Sequence, residues 1–496
     1  NEPTIEADPE VLRARVRLRM GAVLVERGEY ADAEPNLESA LEVFRAGGLR
    51  GWEARTRHHL GSLAANQGAF DRATDCYESS LQLNRELGDR RGQAECLSYL
   101  GNLAWKRGNV DRAATLFERS LEYRRERGDR SGVAATLTSL GAIEGKRGQY
   151  DRAADLYERG LEYRQELGDR QGVAKSLHNL GHLASQRENF DRAVSFYERS
   201  LDRKRELGDN HLLVSTLNNL GTVEGRRGNF SRAAELHERS LAINRELGDS
   251  HSEAFNLHNL GQISYRHGSF DAAAERHEQC VEIMESLDNR PGTAPSLCAL
   301  GMIAARRGEY ERGREYCRRS LEIAERGEDA EQRAESLLGL GEISLRSGDY
   351  DRAGDHLDAA HEAAGSDTEL LGVQIRLTSA RLALARGETE RAKSLATAVR
   401  PDAVALDATY WIGRTDDLLG RIESAAGEDE PARCHLLDAL DTFESLDAFH
   451  DALSTLTALV EMVDETDEVL DELRERARSL VAGAPEEVRE RHPDWE

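Results

Sequence analysis

The run His178-Asn179-Leu180-Gly181-His182, followed by Asn189-Phe190-Asp191-Arg192-Ala193, decides how this chain folds. Its Leu-Gly pair recurs every 40 residues, at Leu60-Gly61, Leu100-Gly101, Leu140-Gly141, Leu180-Gly181, Leu220-Gly221, Leu260-Gly261, Leu300-Gly301 and Leu340-Gly341. Self-similarity at such a period marks a repeat array, in which each unit buries its apolar face against its neighbours.

The unit from Arg90 to Asp129 shows the local logic. Ala94, Leu97, Leu100-Gly101 and Ala104 form a stripe of helical period. Gly101 costs helix propensity in mid-helix, so it is expected to admit a neighbouring helix at close range. Gly108 stands where a left-handed C-cap belongs. Asp111 opens a second helix near its positive end, carrying Ala113, Leu116-Phe117 and Ser120-Leu121. Gly128 stops that helix and Asp129 caps the next. Each repeat therefore reads as a first and a second helix.

Working outward, residues 1–10 are expected to form a frayed segment, and repeat one begins near Val11 with Met20-Gly21 in place of Leu-Gly. Residues 11–289 read as a regular array of repeats one to seven. Residues 290–445 continue it, more divergently, as repeats eight to eleven, with Leu419-Gly420 restoring the signature. Pro291 and Pro295 predict a stiff, non-helical start to repeat eight. Residues 446–496 are read as capping helices followed by a loose tail.

Composition restricts function. The chain has 496 residues and a net charge of −26, from 92 acidic and 66 basic side chains. Such a balance lacks the basic footprint of general nucleic-acid binding. The basic residues are nearly all arginine, with lysine only at Lys106, Lys146, Lys175, Lys204 and Lys393. Excess carboxylate with little lysine resembles the proteins of halophilic archaea, and a GC-rich genome also explains arginine over lysine. No cysteine falls in a CxxC pair, so reduced thiols in the cytoplasm are expected. No apolar run approaches the ~20 residues of a membrane span, and no secretory signal is visible. The chain begins at Asn1, which suits either a trimmed chain or one part of a longer protein.

The unit resembles the tetratricopeptide repeat. Leu97 stands at the Trp position of that motif, Leu100-Gly101 match, Ala104 replaces Tyr, Ala113 and Phe117 match, and Arg125 stands where proline is usual. The period is longer than the usual ~34 residues, as in kinesin light chain, in spindle-orientation adaptors of the Pins/LGN type, and in the sensor arms of STAND-type signalling ATPases. The resemblance covers residues 11–445. It implies an all-α, right-handed superhelical solenoid of about eleven helix-turn-helix repeats. It also implies an adaptor or scaffold function, with a peptide or protein segment held in a concave groove lined by first helices. The alternative is a sensor arm of a larger STAND-type ATPase or transcriptional regulator.

Two columns flank each Leu-Gly pair and share one helix face. The residue before Leu is His59, Tyr99, Ser139, Asn179, Asn219 or Asn259; the residue after Gly is Ser62, Asn102, Ala142, His182, Thr222 or Gln262. Asparagine can both donate to and accept from an extended peptide backbone. Tyr99, Asn102, Asn179, His182, Asn219, Asn259 and Gln262 are therefore candidate peptide-binding residues, joined by His178, four residues before His182 on the same helix. The competing reading is that these amides bond only to neighbouring backbone. Trp105, Tyr265 and Phe255 lie near the same positions, as anchors or as packing.

A further column runs Lys106, Lys146, Gln186, Arg226, Arg266, Arg306 and Arg346. Its lysines and arginines suit an acidic partner segment. They equally suit the negative end of a helix or glutamates of adjacent repeats. His178 and His182 lack a third metal ligand at fixed spacing, so no metal is expected. No phosphate-binding loop, dinucleotide fingerprint, HExxH or GxSxG element occurs. The reading is therefore of a non-enzymatic protein without a cofactor, bound neither to nucleic acid nor to membrane.

Overall fold

The structure, a computed structural model, describes residues 8–187, 189–208, 210–365, 369–462 and 468–491. Among these residues there are 25 helices and no strand. The first 22 follow one another as eleven helix-turn-helix repeats, and three more follow. Two compact units divide the chain, Asn1–Leu183 and Ala184–Glu496.

Helix Arg90–Lys106 and helix Val110–Glu126 are 17 residues each. Joined by three-residue turns, they fill the 40-residue period. Gly108 takes φ 74°, where a side chain is strained, and its N–H donates to the Trp105 carbonyl. Asn109 and Asp129 then accept the Arg112 and Gly132 amides at 3.2 and 2.9 Å, starting the next helices.

At Gly61, Gly101, Gly141, Gly221, Gly261, Gly301 and Gly341 the glycine of the Leu-Gly pair meets the side chain 16 residues further on. A Cβ on Gly141 would lie 2.8 Å from the Tyr157 ring, and one on Gly221 2.8 Å from the His237 ring. The first helix therefore lacks a side chain where the second helix inserts a buried one. A buried serine reinforces the crossing. Ser80, Ser120 and Ser320 donate to the carbonyls of Ala54, Ala94 and Ala294 at 2.7, 2.8 and 2.8 Å. Successive repeats are also tied by charge, with Arg107, Arg147 and Arg227 donating to Asp71, Asp111 and Asp191 at 2.6, 2.5 and 2.7 Å. These pairs are largely exposed, so each contributes at most ~1 kcal/mol.

At the N-terminus, residues 1–7 of the segment expected to be frayed lie outside the described residues. Asp8 caps a helix that already includes Pro9 and Glu10. The non-helical start expected at Pro291 and Pro295 is not what forms. Helix Arg290–Arg306 begins in register, capped by Asn289, which accepts the Gly292 amide at 3.1 Å. Pro291 sits in the first turn, where its missing N–H has no partner to lose. Only the bond from residue 295 to the carbonyl of residue 291 is forgone.

The C-terminal stretch does more than cover the last hairpin. Within the second unit, helices Phe449–Glu461, Glu468–Gly483 and Glu486–Arg491 return onto earlier repeats. Leu446, Leu453, Leu456 and Val488 share one buried cluster with Phe230, Ala233 and Ile263. Ser231 donates to Asp447 at 2.8 Å, and the Glu487 carboxylate accepts the Asp271 amide at 3.0 Å. Residues 484–491, expected as part of a loose tail, bury Ala484 and Val488 in this way. Residues 492–496 lie outside the described residues.

Candidate functional site

In the first unit, the columns beside Leu-Gly reach the surface of the first helices. Tyr99 is 42% exposed, yet it is held on two sides. Its ring stacks on Tyr77 at 5.2 Å and meets the edge of His58 at 4.7 Å. Burial brings the His58 imidazole down to about 4, so this support is neutral at pH 7. Asn102, His182, Lys106 and Lys146 are exposed, and His178 and Asn179 are half-buried. Lys106 lies 6.0 Å over the Phe70 ring.

In the second unit, the same columns are partly engaged by the chain itself. Asn259 donates to the Phe255 carbonyl at 3.1 Å, one turn back in its own helix. Asn219 is hydrogen-bonded to Tyr197. Gln262 is half-buried. His258 meets Ser296 at 2.9 Å and burial brings it down to about 4. Among the described residues no group of three or more His, Cys, Asp or Glu is arranged to hold a metal ion.

The basic column behaves differently along its length. Arg226 is exposed, whereas Arg266 and Arg306 turn inward with Arg346. They line a cavity of about 170 Å³. Every residue lining it belongs to a first helix, from Gln262 in helix Ser250–His267 to Arg414 in helix Thr409–Ala426. Arg266 lies 4.2 Å over the Tyr410 ring and 4.9 Å over Trp411. Arg306 donates to the Tyr265 hydroxyl at 3.1 Å and to His450 Nε2 at 3.1 Å. That second bond requires a bare Nε2 on His450.

Four charged lining groups were not singled out in the sequence: Glu335, Glu342, Arg381 and Arg414. Arg381 donates to Glu342, whose other carboxylate oxygen has no hydrogen-bond partner among the described residues. Arg414 donates to Asp451 at 2.8 Å, and Tyr410 donates to the same carboxylate at 2.7 Å. Burial pushes the Glu342 carboxyl up. Arg381, Arg346, Arg414 and Arg306 together outweigh burial and hold it at about 2. Asp451 is treated likewise by Arg414 and Arg306, and also stands at about 2. Tyr265 is lowered despite its burial, because Arg306 and Arg346 face it. Glu335, on the same helix as Glu342, is pushed up to about 7 by burial and by Glu331 and Asp329. A second cavity of about 260 Å³ shares Gln262, Arg266, Gln374, Tyr410 and Trp411 with the first.

None of the six cysteines forms a disulfide. No helix among the described residues is long and apolar enough to cross a membrane.

The chain is similar to several solved structures, among them BtubC from P. vanneervenii, 28% identical over 45% of this chain and 92% of that one, with a TM-score of 0.41. Aspartyl phosphate phosphatase F from Bacillus subtilis is 12% identical, covering 72% of this chain and 95% of its own, with a TM-score of 0.51. A signal transduction ATPase with numerous domains from Pyrococcus horikoshii, which carries a tetratricopeptide repeat sensor, is 14% identical. It covers 73% of this chain and 55% of its own, with a TM-score of 0.45. No curated protein matches the sequence. The tetratricopeptide repeat model matches residues 12–86, 52–126, 132–206, 172–246, 212–286 and 292–366, and a second model of the same description matches 100–161. With its helix pairs, its Leu-Gly crossings and these matches over well more than half its length, the chain belongs to the tetratricopeptide repeat family.

Proposed function

We propose that the chain is an interaction scaffold that holds a segment of a partner protein on the first-helix faces of its first unit. Tyr99 carries this reading. It is a large exposed aromatic fixed by Tyr77 and His58, so little side-chain entropy remains to be lost on binding. Asn102 and His182 supply hydrogen-bonding groups on the same columns, and Lys106 and Lys146 favour a partner segment with acidic side chains. The chain's own acidity suits concentrated salt, which screens the lysine contacts to a Debye length of ~3 Å at 1 M. The partner's apolar and backbone contacts to Tyr99 and Asn102 must then carry the affinity. Six cysteines without a disulfide support a reducing, cytoplasmic location.

The test is affinity capture on the full chain in high salt with mass spectrometry, followed by titration of the captured partner. Tyr99→Ala combined with Asn102→Ala is expected to weaken binding at least tenfold, about 1.4 kcal/mol, with helicity unchanged. Tyr99→Phe should retain most of the affinity. Undiminished binding by the double variant sinks the assignment of this face.

A further inference from the structure

The cavity inside the second unit holds more positive charge than its own carboxylates neutralise. Five guanidinium groups line it, those of Arg266, Arg306, Arg346, Arg381 and Arg414. Glu342 answers Arg381, and Asp451 answers Arg414. Arg266 rests on aromatic rings, and Arg306 is held by a tyrosine hydroxyl and a histidine. Arg346 stands 3.8 Å from Glu342, and its buried Nε has no hydrogen-bond partner among the described residues. Five cations against two carboxylates leave three charges over, or two when Glu335 ionises. In a chain of net charge −26 this is a concentrated reversal of sign. A cationic surplus taken out of water is costly unless an anion answers it.

Gln262, Gln374 and Thr378 add polar groups to the lining, and apolar side chains stand beside them. Met302, Leu338, Leu377 and Trp411 complete the wall. The volume, about 170 Å³, is close to that of an engineered cavity of ~150 Å³ that accepts benzene. The arginines come from five successive first helices, and Tyr410 and Trp411 are set by the same helix as Arg414.

We propose that this cavity binds a small organic anion, a carboxylate or phosphate ester whose apolar body is about one ring in size. Guanidinium groups offer paired donors that match either acid. The body rests against Met302, Leu338 and Leu377. The site is separate from the partner face of the first unit and does not depend on that reading. The same anionic group can arrive as a free molecule or as an acidic side chain of a bound protein; the assignment is to the free molecule.

The full chain is titrated calorimetrically with phenyl phosphate, inorganic phosphate and phenol. Phenyl phosphate should bind saturably at one site per chain, at least tenfold more tightly than inorganic phosphate, with phenol giving no saturable signal. Arg346→Met should weaken phenyl phosphate at least tenfold, Arg346→Lys should keep part of the affinity, and Arg326→Met, a surface change, should keep all of it. Circular dichroism confirms that each variant is folded. No saturable binding at about 10 mM phenyl phosphate by the folded wild type overturns the proposal. So does equal affinity of Arg346→Met and wild type. If Arg346→Met abolishes capture of a partner while phenyl phosphate never binds, the free-molecule assignment falls and the cavity belongs to an acidic side chain of that partner.

Discussion

Gly141→Ala and Gly145→Ala are the same change, one helical turn apart, and should have opposite signs. Each gains helix propensity, about 1 kcal/mol. At Gly141 the new Cβ falls 2.8 Å from two carbons of the Tyr157 ring, which is only 7% exposed and cannot simply swing away. Forcing a methyl into such a contact costs ~1–3 kcal/mol, so the net change is a loss of up to about 2 kcal/mol. At Gly145 the nearest atom is a Leu183 methyl at 3.7 Å, an ordinary contact, and the propensity gain of about 1 kcal/mol survives. Because each repeat contacts mainly its neighbours, the effect is local. Hydrogen exchange by mass spectrometry over residues 130–166 is the direct assay, supported by guanidinium unfolding midpoints. The crossing argument is refuted if Gly141→Ala protects this hairpin as well as wild type does, or if both variants shift protection in the same direction.

Two further outcomes follow from backbone strain and from a buried acid. Asp288 occupies the left-handed turn position at φ 52°, where the preceding repeat has Gly248 at φ 70°. Asp288→Gly should therefore raise stability by about 0.5–1 kcal/mol, read as a higher guanidinium midpoint; a lower midpoint contradicts the strain argument. Glu335 sits at about 7 against an ordinary 4.5, with Glu331 and Asp329 on its side and His258 and Cys298 on the neighbouring helices. Its folded value is raised, so the stability it lends is complete below pH 4.5 and lost as pH climbs through 7. Glu335→Gln should flatten that decline and stabilise the protein by about 1–3 kcal/mol at pH 8. Parallel pH profiles for variant and wild type contradict this origin of the shift.

The architecture was legible because its determinants are periodic. Leu-Gly, the Gly-Asp joint and the Asp-Arg-Ala run each report a local contact repeated at one spacing. Proline misled because the same ring that breaks a helix interior is at home in the first turn, and only the position of Asn289 as cap distinguishes the two. The return of the C-terminal helices left no periodic trace. Leu446, Asp447, Glu487 and Val488 look like ordinary amphipathic positions, and their partners lie more than 200 residues away. The cavity was half legible. Arg266, Arg306 and Arg346 stand in one column, and the column after Gly, followed beyond Gln262, reaches Met302, Glu342 and Arg381. Nothing in that spacing told that Arg226 would stay at the surface while the next three turned inward. Asn219 and Asn259 show the converse: side chains suited to a ligand that bond within the chain.

The bonds from Ser231 to Asp447 and from Asp271 to Glu487 each span 216 residues. An array that touches only its neighbours can gain or lose a unit by duplication or deletion and remain an array. Here the closure fixes the count. One 40-residue unit added between residues 271 and 447 would carry Asp447 and Glu487 past their partners. A repeat gained or lost in that stretch therefore breaks both bonds, and lineages of this protein should keep its length constant.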